Sequence, residues 1–295
     1  MITVKDQNQL KDLEEGNIIF GEPELDNSSI VFNGSNNVLF CEEGKVKLSN
    51  SKLIFNGSNG LIFLGANRHI YRLAVTVNND CVFHMGRNNY MNGVLNVILS
   101  EQRHCFIGDD GLFSFGVWLR TADPHLIYDA QTKKRINPSK SIFIGDHVWI
   151  GQGAMILKRS VIESGSIVGA MSLVAGKRIP NNSSWAGNPC REVRKGIFWE
   201  ESCVHTWQAD KTKKSLDFNE YLPEIGKKVN ADTYVYGYST GEYIPFAEID
   251  RNLSENTDAV KKAEYLKNLS SSKKKNRFVY GEDDLKNKIK RLLKK

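Results

Sequence analysis

The chain has 295 residues, 40% of them hydrophobic and 25% charged, with a net charge of +6. It has no run of about 18 apolar residues, so no membrane-spanning helix is expected, and Met1 to Gly16 lacks the apolar core of a secretory signal. The five cysteines, an odd number without paired spacing, fit a reducing compartment, and the expected location is cytoplasmic.

Residues 1–24 read as a lead-in, residues 1–20 as a short helix or lead-in segment. From Asn27 the chain turns β-rich. Phe32-Asn33-Gly34-Ser35-Asn36 recurs word for word as Phe55-Asn56-Gly57-Ser58-Asn59, and Ile62–Gly65 and Val82–Gly86 echo the same strand–turn unit. Asn and Gly suit the corners of a coiled solenoid because they tolerate positive φ. Ile107, Phe113 and Leu119 then fall six apart. The register breaks over the polar stretch Arg120 to Ser141, which holds Pro124, His125 and Pro138, and an inserted loop is assigned to residues 120–143. A connection of that length between short strands points to function.

Register resumes with Ile144, Ile150, Ile156, Ile162, Val168 and Val174. A strict period of six belongs neither to a helix, at 3.6, nor to a strand, at 2. It marks a hexapeptide β-helix. The fourth residue after each of the first five is small or β-branched (Val148, Ala154, Ser160, Ser166, Ser172), as a narrow interior requires. The solenoid is therefore assigned to residues 25–195, its strands ending near Pro180 and an exit segment following over 181–194.

Residues 196–295 form a C-terminal extension, with helical patterns over Val260–Leu269 and Asp284–Leu293, a linker at Ser270–Lys275 and a hairpin at Tyr234–Tyr243. From Lys261 onward, 13 Lys and Arg stand against 4 Asp and Glu, so this tail carries +9 and the rest about −3. Such a tail is either a solvated helix or a contact for an anionic surface, including peripheral association with a membrane. No recognition motif for nucleic acid accompanies it, and no nucleic-acid partner is expected.

The motifs I-G-D-H-V-W-I-G at 144–151, I-V-G-A at 167–170 and I-P-N-N-x-x-x-A-G-N-P at 179–189 closely resemble the bacterial hexapeptide-repeat acyltransferases. T-A-D-P-H-L-I-Y-D at 121–129 and R-I-N-P-S-K-S-I at 135–142 are most similar to those that O-acetylate capsular or other surface polysaccharides. The resemblance implies a mainly β fold, a left-handed parallel β-helix with an inserted catalytic loop and a C-terminal mixed or helical extension. It also implies an acetyl-CoA-dependent O-acetyltransferase working as a homotrimer with sites between subunits. N-acylation or acylation of a small sugar, an amino sugar or an amino acid is the alternative chemistry; a non-catalytic, polymer-binding scaffold is the alternative class.

Acetyl transfer from a thioester to a hydroxyl needs a base, donors for the oxyanion and a grip on coenzyme A. His125, 24 residues before Trp149, matches the family's base, although relatives often have Gly where this chain has Pro124. The tryptophan matching Trp149 lies beside that base in the family, and N–H groups near Trp149 or Gly151 would hold the oxyanion. Asp123 and Asp129 flank His125; either would orient the ring or, with Tyr128 and Trp118, contact the acceptor. Gly151, Gln152, Gly169 and Ala170 match the surface along which relatives lay pantetheine, and Lys177, Arg191 and Arg194 would meet the phosphates, with Arg178 able to exchange roles with Lys177. His147 is read as a structural corner residue. Cys203-Val204-His205 is too short for a metal site, and no catalytic metal is expected.

Overall fold

The hexads form short strands because each contributes two inward side chains, one aliphatic and one small, to a narrow triangular interior. In the computed structural model, which describes residues 1–11, 13–225, 230–237, 243–271 and 275–280, the chain winds about seven turns of a parallel β-solenoid. Face I has eight strands, from Ile2–Val4 and Ser29–Phe32 to Trp118–Arg120, Met155–Leu157 and Leu173–Val174. Face II also has eight, from Ile18–Phe20 through Val82–Met85 and Ile142–Ile144 to Arg178–Ile179. Face III has six, from Tyr90–Met91 through Trp149–Ile150 to Arg191–Lys195, preceded in the early coils by the pair Glu24–Asp26 and Lys47–Ser49.

The inward columns are as read. Ile144, Ile150, Ile156, Ile162, Val168 and Val174 are wholly buried, as are Val148, Ala154, Ser160 and Ser166. The early repeat is one full coil: Phe32 pairs with Phe55 in parallel, and their rings stack at 4.7 Å. Asn27, Asn36, Asn50, Asn59 and Asn88 occupy corners with positive φ. Both ends are closed by a reversed strand, Ile2–Val4 against Ser29–Phe32 and Arg191–Lys195 against Ser183–Ala186, which limits open parallel edges.

Several expectations need correction. The first 20 residues are not a helical lead-in. They hold strands Ile2–Val4 and Ile18–Phe20 around a single 3-10 turn at Gln7–Gln9, because an open sheet edge is there to be paired. The exit segment still belongs to face III through Ser183–Ala186. Ser270 and Ser271 are not linker but the last turn of helix Ala259–Ser271. The centre of the hairpin expected at Tyr234–Tyr243, residues 238–242, lies outside the described residues; just after it, Ile244–Pro245 pairs in parallel with Phe278–Val279. The helix expected at 284–293 lies outside the described residues.

The extension packs on the solenoid. Strands of face II are apolar on both sides: Leu39, Ile62 and Phe83 point in, while Val38, Leu61, Phe63, Val82, Phe106 and Phe143 point out. Two helices, Phe246–Glu255 and Ala259–Ser271, lie across that outer surface with Phe246, Ile249, Leu253, Ala263 and Leu266 inward, at helical spacing. Two buried histidines sit under this cover. His84 stacks on Phe106 at 4.3 Å and bonds through its ring nitrogens to the Ile107 carbonyl and Ser270 Oγ. His104 reaches Ser254 Oγ at 3.2 Å.

Candidate active site

The register break is a structured loop on the edge between faces I and II. It leaves the solenoid after Arg120 and re-enters at Ile142. The Glu101 carboxylate anchors it by accepting from Arg135 Nη1 and Nη2 at 2.6 and 2.9 Å and from Ser139 Oγ at 2.5 Å. Those contacts, Arg135 first, hold the Glu101 carboxyl down at about 2. Asn137 is buried at the loop's centre. It donates to the His125 carbonyl at 2.7 Å and to Asp123 Oδ2 at 3.2 Å, and accepts from the Ile127 N–H at 2.9 Å. Lys158 Nζ, from the next coil, donates to Asp123 Oδ2 at 2.5 Å and to the Asn137 carbonyl at 3.1 Å. The His125 main chain is therefore fixed while its side chain is exposed.

The two candidate carboxylates do different work. Asp123 pairs with Lys158, whose hydrogen bond lowers its pKa. Asp129 accepts from the N–H groups of Gln131 and Thr132 and from Thr132 Oγ1, and so builds the turn that lets Tyr128 bridge to Arg135. Neither bonds to the His125 imidazole; Asp129 engages its turn through Oδ1. Tyr128 is exposed beside Leu126, Ile127 and Ile136.

Trp149 is the first residue of its strand on face III, directly after the edge with face II. It stands outward at 38% exposure, between Leu112 and Ile167 of the neighbouring coils. Trp118 stands outward on face I, between Asn96 and Met155. His125 and Trp149 of one chain therefore lie at different edges of the prism. His147 is structural, as read. Its ring stacks on Trp199 at 3.9 Å and its Nε2 bonds to the Trp199 carbonyl at 3.0 Å.

Of the N–H groups near Trp149 and Gly151 expected to hold the oxyanion, those of the two residues themselves are already bonded. The Trp149 N–H donates to Ser166 O at 3.0 Å and the Gly151 N–H to Val168 O at 2.7 Å, because a parallel β-helix uses them for the ladder to the next coil. The Gly169 N–H is likewise bonded to Trp185 O. Among the described residues, Gln152 and Ala170, exposed where face III turns to face I, keep N–H groups outside that ladder. Arg178 does not exchange roles with Lys177: it pairs with the buried Glu163 at 2.5 Å and lies 4.6 Å over the Tyr280 ring. Arg191 and Arg194 are exposed on the last strand, and Lys177 is half-buried. No group of three His, Cys, Asp or Glu among the described residues is placed to hold a metal ion, and no described helix is long and apolar enough to cross a membrane.

Sequence reasoning did not single out Glu101, Asn137 and Lys158, which hold the loop, or Trp199 and Arg277, which hold the corner before Trp149. Glu101 and Lys158 fall one coil before and one coil after the insertion, a spacing that a register-aware search could have used.

Residues 141–176 match the family model for bacterial transferase hexapeptide (six repeats). Polysialic acid O-acetyltransferase of Escherichia coli O1:K1 / APEC is 32% identical over 102 residues, 35% of this chain and 33% of that protein. Polysialic acid O-acetyltransferase of Neisseria meningitidis is 28% identical over 139 residues, 47% of this chain and 64% of that protein. The crystal structure of the polySia specific acetyltransferase NeuO superposes with a TM-score of 0.59 at 28% identity, covering 72% of this chain and 94% of that one. The chain thus spans from a third to just under two thirds of the curated relatives it matches. These likenesses bear out the hexapeptide-repeat resemblance and the left-handed β-helix.

Proposed function

We propose that this hexapeptide-repeat chain is an acetyl-CoA-dependent O-acetyltransferase that acts on a hydroxyl of a surface polysaccharide. One observation carries the reading: the solenoid is interrupted once by a long loop, whose polar core fixes the His125 backbone and leaves its side chain open to solvent. A merely decorative loop has no need of a buried Asn137 and two ion pairs at its root.

In the proposed reaction, His125 takes the proton of an acceptor hydroxyl. The oxygen attacks the thioester carbonyl, and the tetrahedral oxyanion meets N–H donors at Gln152 or Ala170. Collapse breaks the C–S bond; the imidazolium protonates the leaving thiolate, giving the acetyl ester and free coenzyme A. Among the described residues no cysteine or serine stands in a clear nucleophile setting, and four of the five cysteines are buried. Lys177, Arg191 and Arg194 supply the cationic surface for the phosphates.

The test is release of free thiol from acetyl-CoA with and without a panel of polysaccharides, polysialic acid included. Polymer-dependent release supports the reading. Release with small sugars alone transfers the assignment to a small acceptor, and neither release nor coenzyme A binding leaves a scaffold. His125→Ala is expected to lower kcat by about 10²–10⁴-fold, the range for a general base, with coenzyme A binding retained.

A further inference from the structure

The corner between Ile144 and Trp149 is gripped by residues far along the chain. His147 holds a left-handed backbone (φ 53°), uncommon for a residue other than glycine. Its ring lies flat against Trp199, 3.9 Å between centroids and 3° between planes. Two hydrogen bonds run in opposite senses between the pair: His147 Nε2 to the Trp199 carbonyl at 3.0 Å, and Trp199 Nε1–H to the His147 carbonyl at 3.2 Å. Tyr234 and Tyr236 approach the same ring at 5.7 and 5.8 Å.

Asp146, the residue before, is held from the other side. The Arg277 side chain, 5% exposed, donates to both Asp146 oxygens at 3.0 and 2.8 Å and reaches Asp109 at 2.9 Å. Burying a guanidinium and two carboxylates is costly unless geometry repays it. Three stretches separated in sequence thus converge on one four-residue corner. Its product is Trp149, with the buried Trp199 ring 6.0 Å from its own and its other side open.

We infer that the C-terminal extension is a working part of the acetyl-transfer site, with Trp199 the positioning residue that sets the orientation of Trp149. This rests on the function proposed above. A cover serving stability alone would have no reason to converge on the residues before Trp149; face II, where the helices lie, offers the larger apolar surface.

The test labels the five tryptophans with 5-fluorotryptophan and follows them by ¹⁹F NMR, Trp149→Phe assigning the key resonance. In Trp199→Ala, that resonance is expected to move or broaden while those of Trp118 and Trp207 stay. With acetyl-CoA and an active acceptor, kcat should fall by about 10²-fold, the usual penalty for misplacing a reacting group, with KM for acetyl-CoA nearly unchanged. Trp199→Phe, which keeps the stacking, should restore most of both signals. His147→Asn, which removes the stacked ring without emptying a large volume, is the second variant should Trp199→Ala not fold. An unmoved Trp149 resonance in a folded variant overturns the inference. So does an unchanged kcat where Trp149→Ala is inactive. If the wild type transfers no acetyl to any acceptor, the functional reading falls separately, and the resonance still decides whether Trp199 orients Trp149.

Discussion

Acid should loosen the helical cover on face II, because it rests on two neutral histidines. Burial pushes His84 down to about 3; the Ile107 carbonyl opposes this and Arg277 adds to it. Burial does the same to His104, also to about 3, with Lys262 and Arg103 adding repulsion. In the unfolded chain both return to about 6.5. Below that pH the unfolded state binds protons that the native state refuses until about 3. Stability is therefore full above about pH 6.5 and is lost as pH falls through the window. At about pH 5 each ring costs roughly 2 kcal/mol, so the pair costs roughly 4, against a typical domain stability of about 5–15 kcal/mol. His84→Phe continues the ring ladder through Phe63 and Phe106, and His104→Gln keeps a polar group for Ser254. Urea unfolding at about pH 7.5 and about pH 5 should show the wild type losing roughly 4 kcal/mol more than this double variant. Asp109, which burial and Asp146 push up to about 6, works in the opposite sense but is common to both proteins and cancels. Equal losses in the two proteins, or ring protons titrating near their free value by NMR, would refute the reasoning.

Gly151→Ala should lower the melting temperature by the equivalent of about 1–3 kcal/mol of overpacking, because the added Cβ meets Ala170 N at 2.5 Å and Gly169 C at 2.7 Å, main chain that cannot swing aside. Calorimetry checks this, and an unchanged melting temperature counts against such tight coil stacking. Arg277→Met leaves Asp146 and Asp109 buried without their guanidinium and should cost about 3–5 kcal/mol near neutral pH. Arg277 holds the Asp109 pKa down, so its loss should raise it further, and denaturant unfolding should show the cost shrinking as pH falls toward about 6, where Asp109 takes up a proton in the wild type as well.

The hexads from Ile144 to Val174 were legible because a period of six has one structural meaning and each position has one neighbour above and one below. The early coils were legible from the 23-residue echo at Phe32 and Phe55, although their corners vary in length. The helix at Val260–Leu269 was legible and is found as Ala259–Ser271; that it covers face II was not read, yet face II announced it. Strands such as Leu61–Leu64 and Ile142–Ile144 are apolar at every position, the mark of burial on both sides, whereas Leu73–Val77 and Leu95–Leu99 alternate with Ala74, Thr76 and Asn96. A reading by period alone sees the inward column and passes over the outward one. Ser270 was misread for the same reason: a serine run looks like a linker until a buried His84 needs a partner. At the candidate site, the residue types were legible but their bonding was not. Asp129 close to a histidine suggests a dyad, and only the structure shows its Oδ1 accepting from Thr132 N–H and Oγ1.

The cover also bears on how a site is assembled. His125 is fixed at the edge of faces I and II, and Trp149 begins face III at the far edge of face II. The strand Ile142–Ile144 and the corner at 145–148 lie between them, and the helices Phe246–Glu255 and Ala259–Ser271 occupy the outer surface of that face. An imidazole from one chain therefore has no route to the tryptophan of the same chain. If both residues serve one reaction, they come from neighbouring chains, and the exposed Trp118 and Met155 of face I and Tyr90 and Trp149 of face III are available to make the contact. Co-expression of His125→Ala with Trp149→Ala, each inactive alone, then has a definite outcome. In randomly mixed closed rings, about a quarter of the interfaces pair an intact histidine with an intact tryptophan, and acetyl transfer should recover to about that fraction. Differently tagged chains purified in sequence would establish that mixing occurred. Mixed assemblies with no recovered activity would refute a site shared between neighbouring chains.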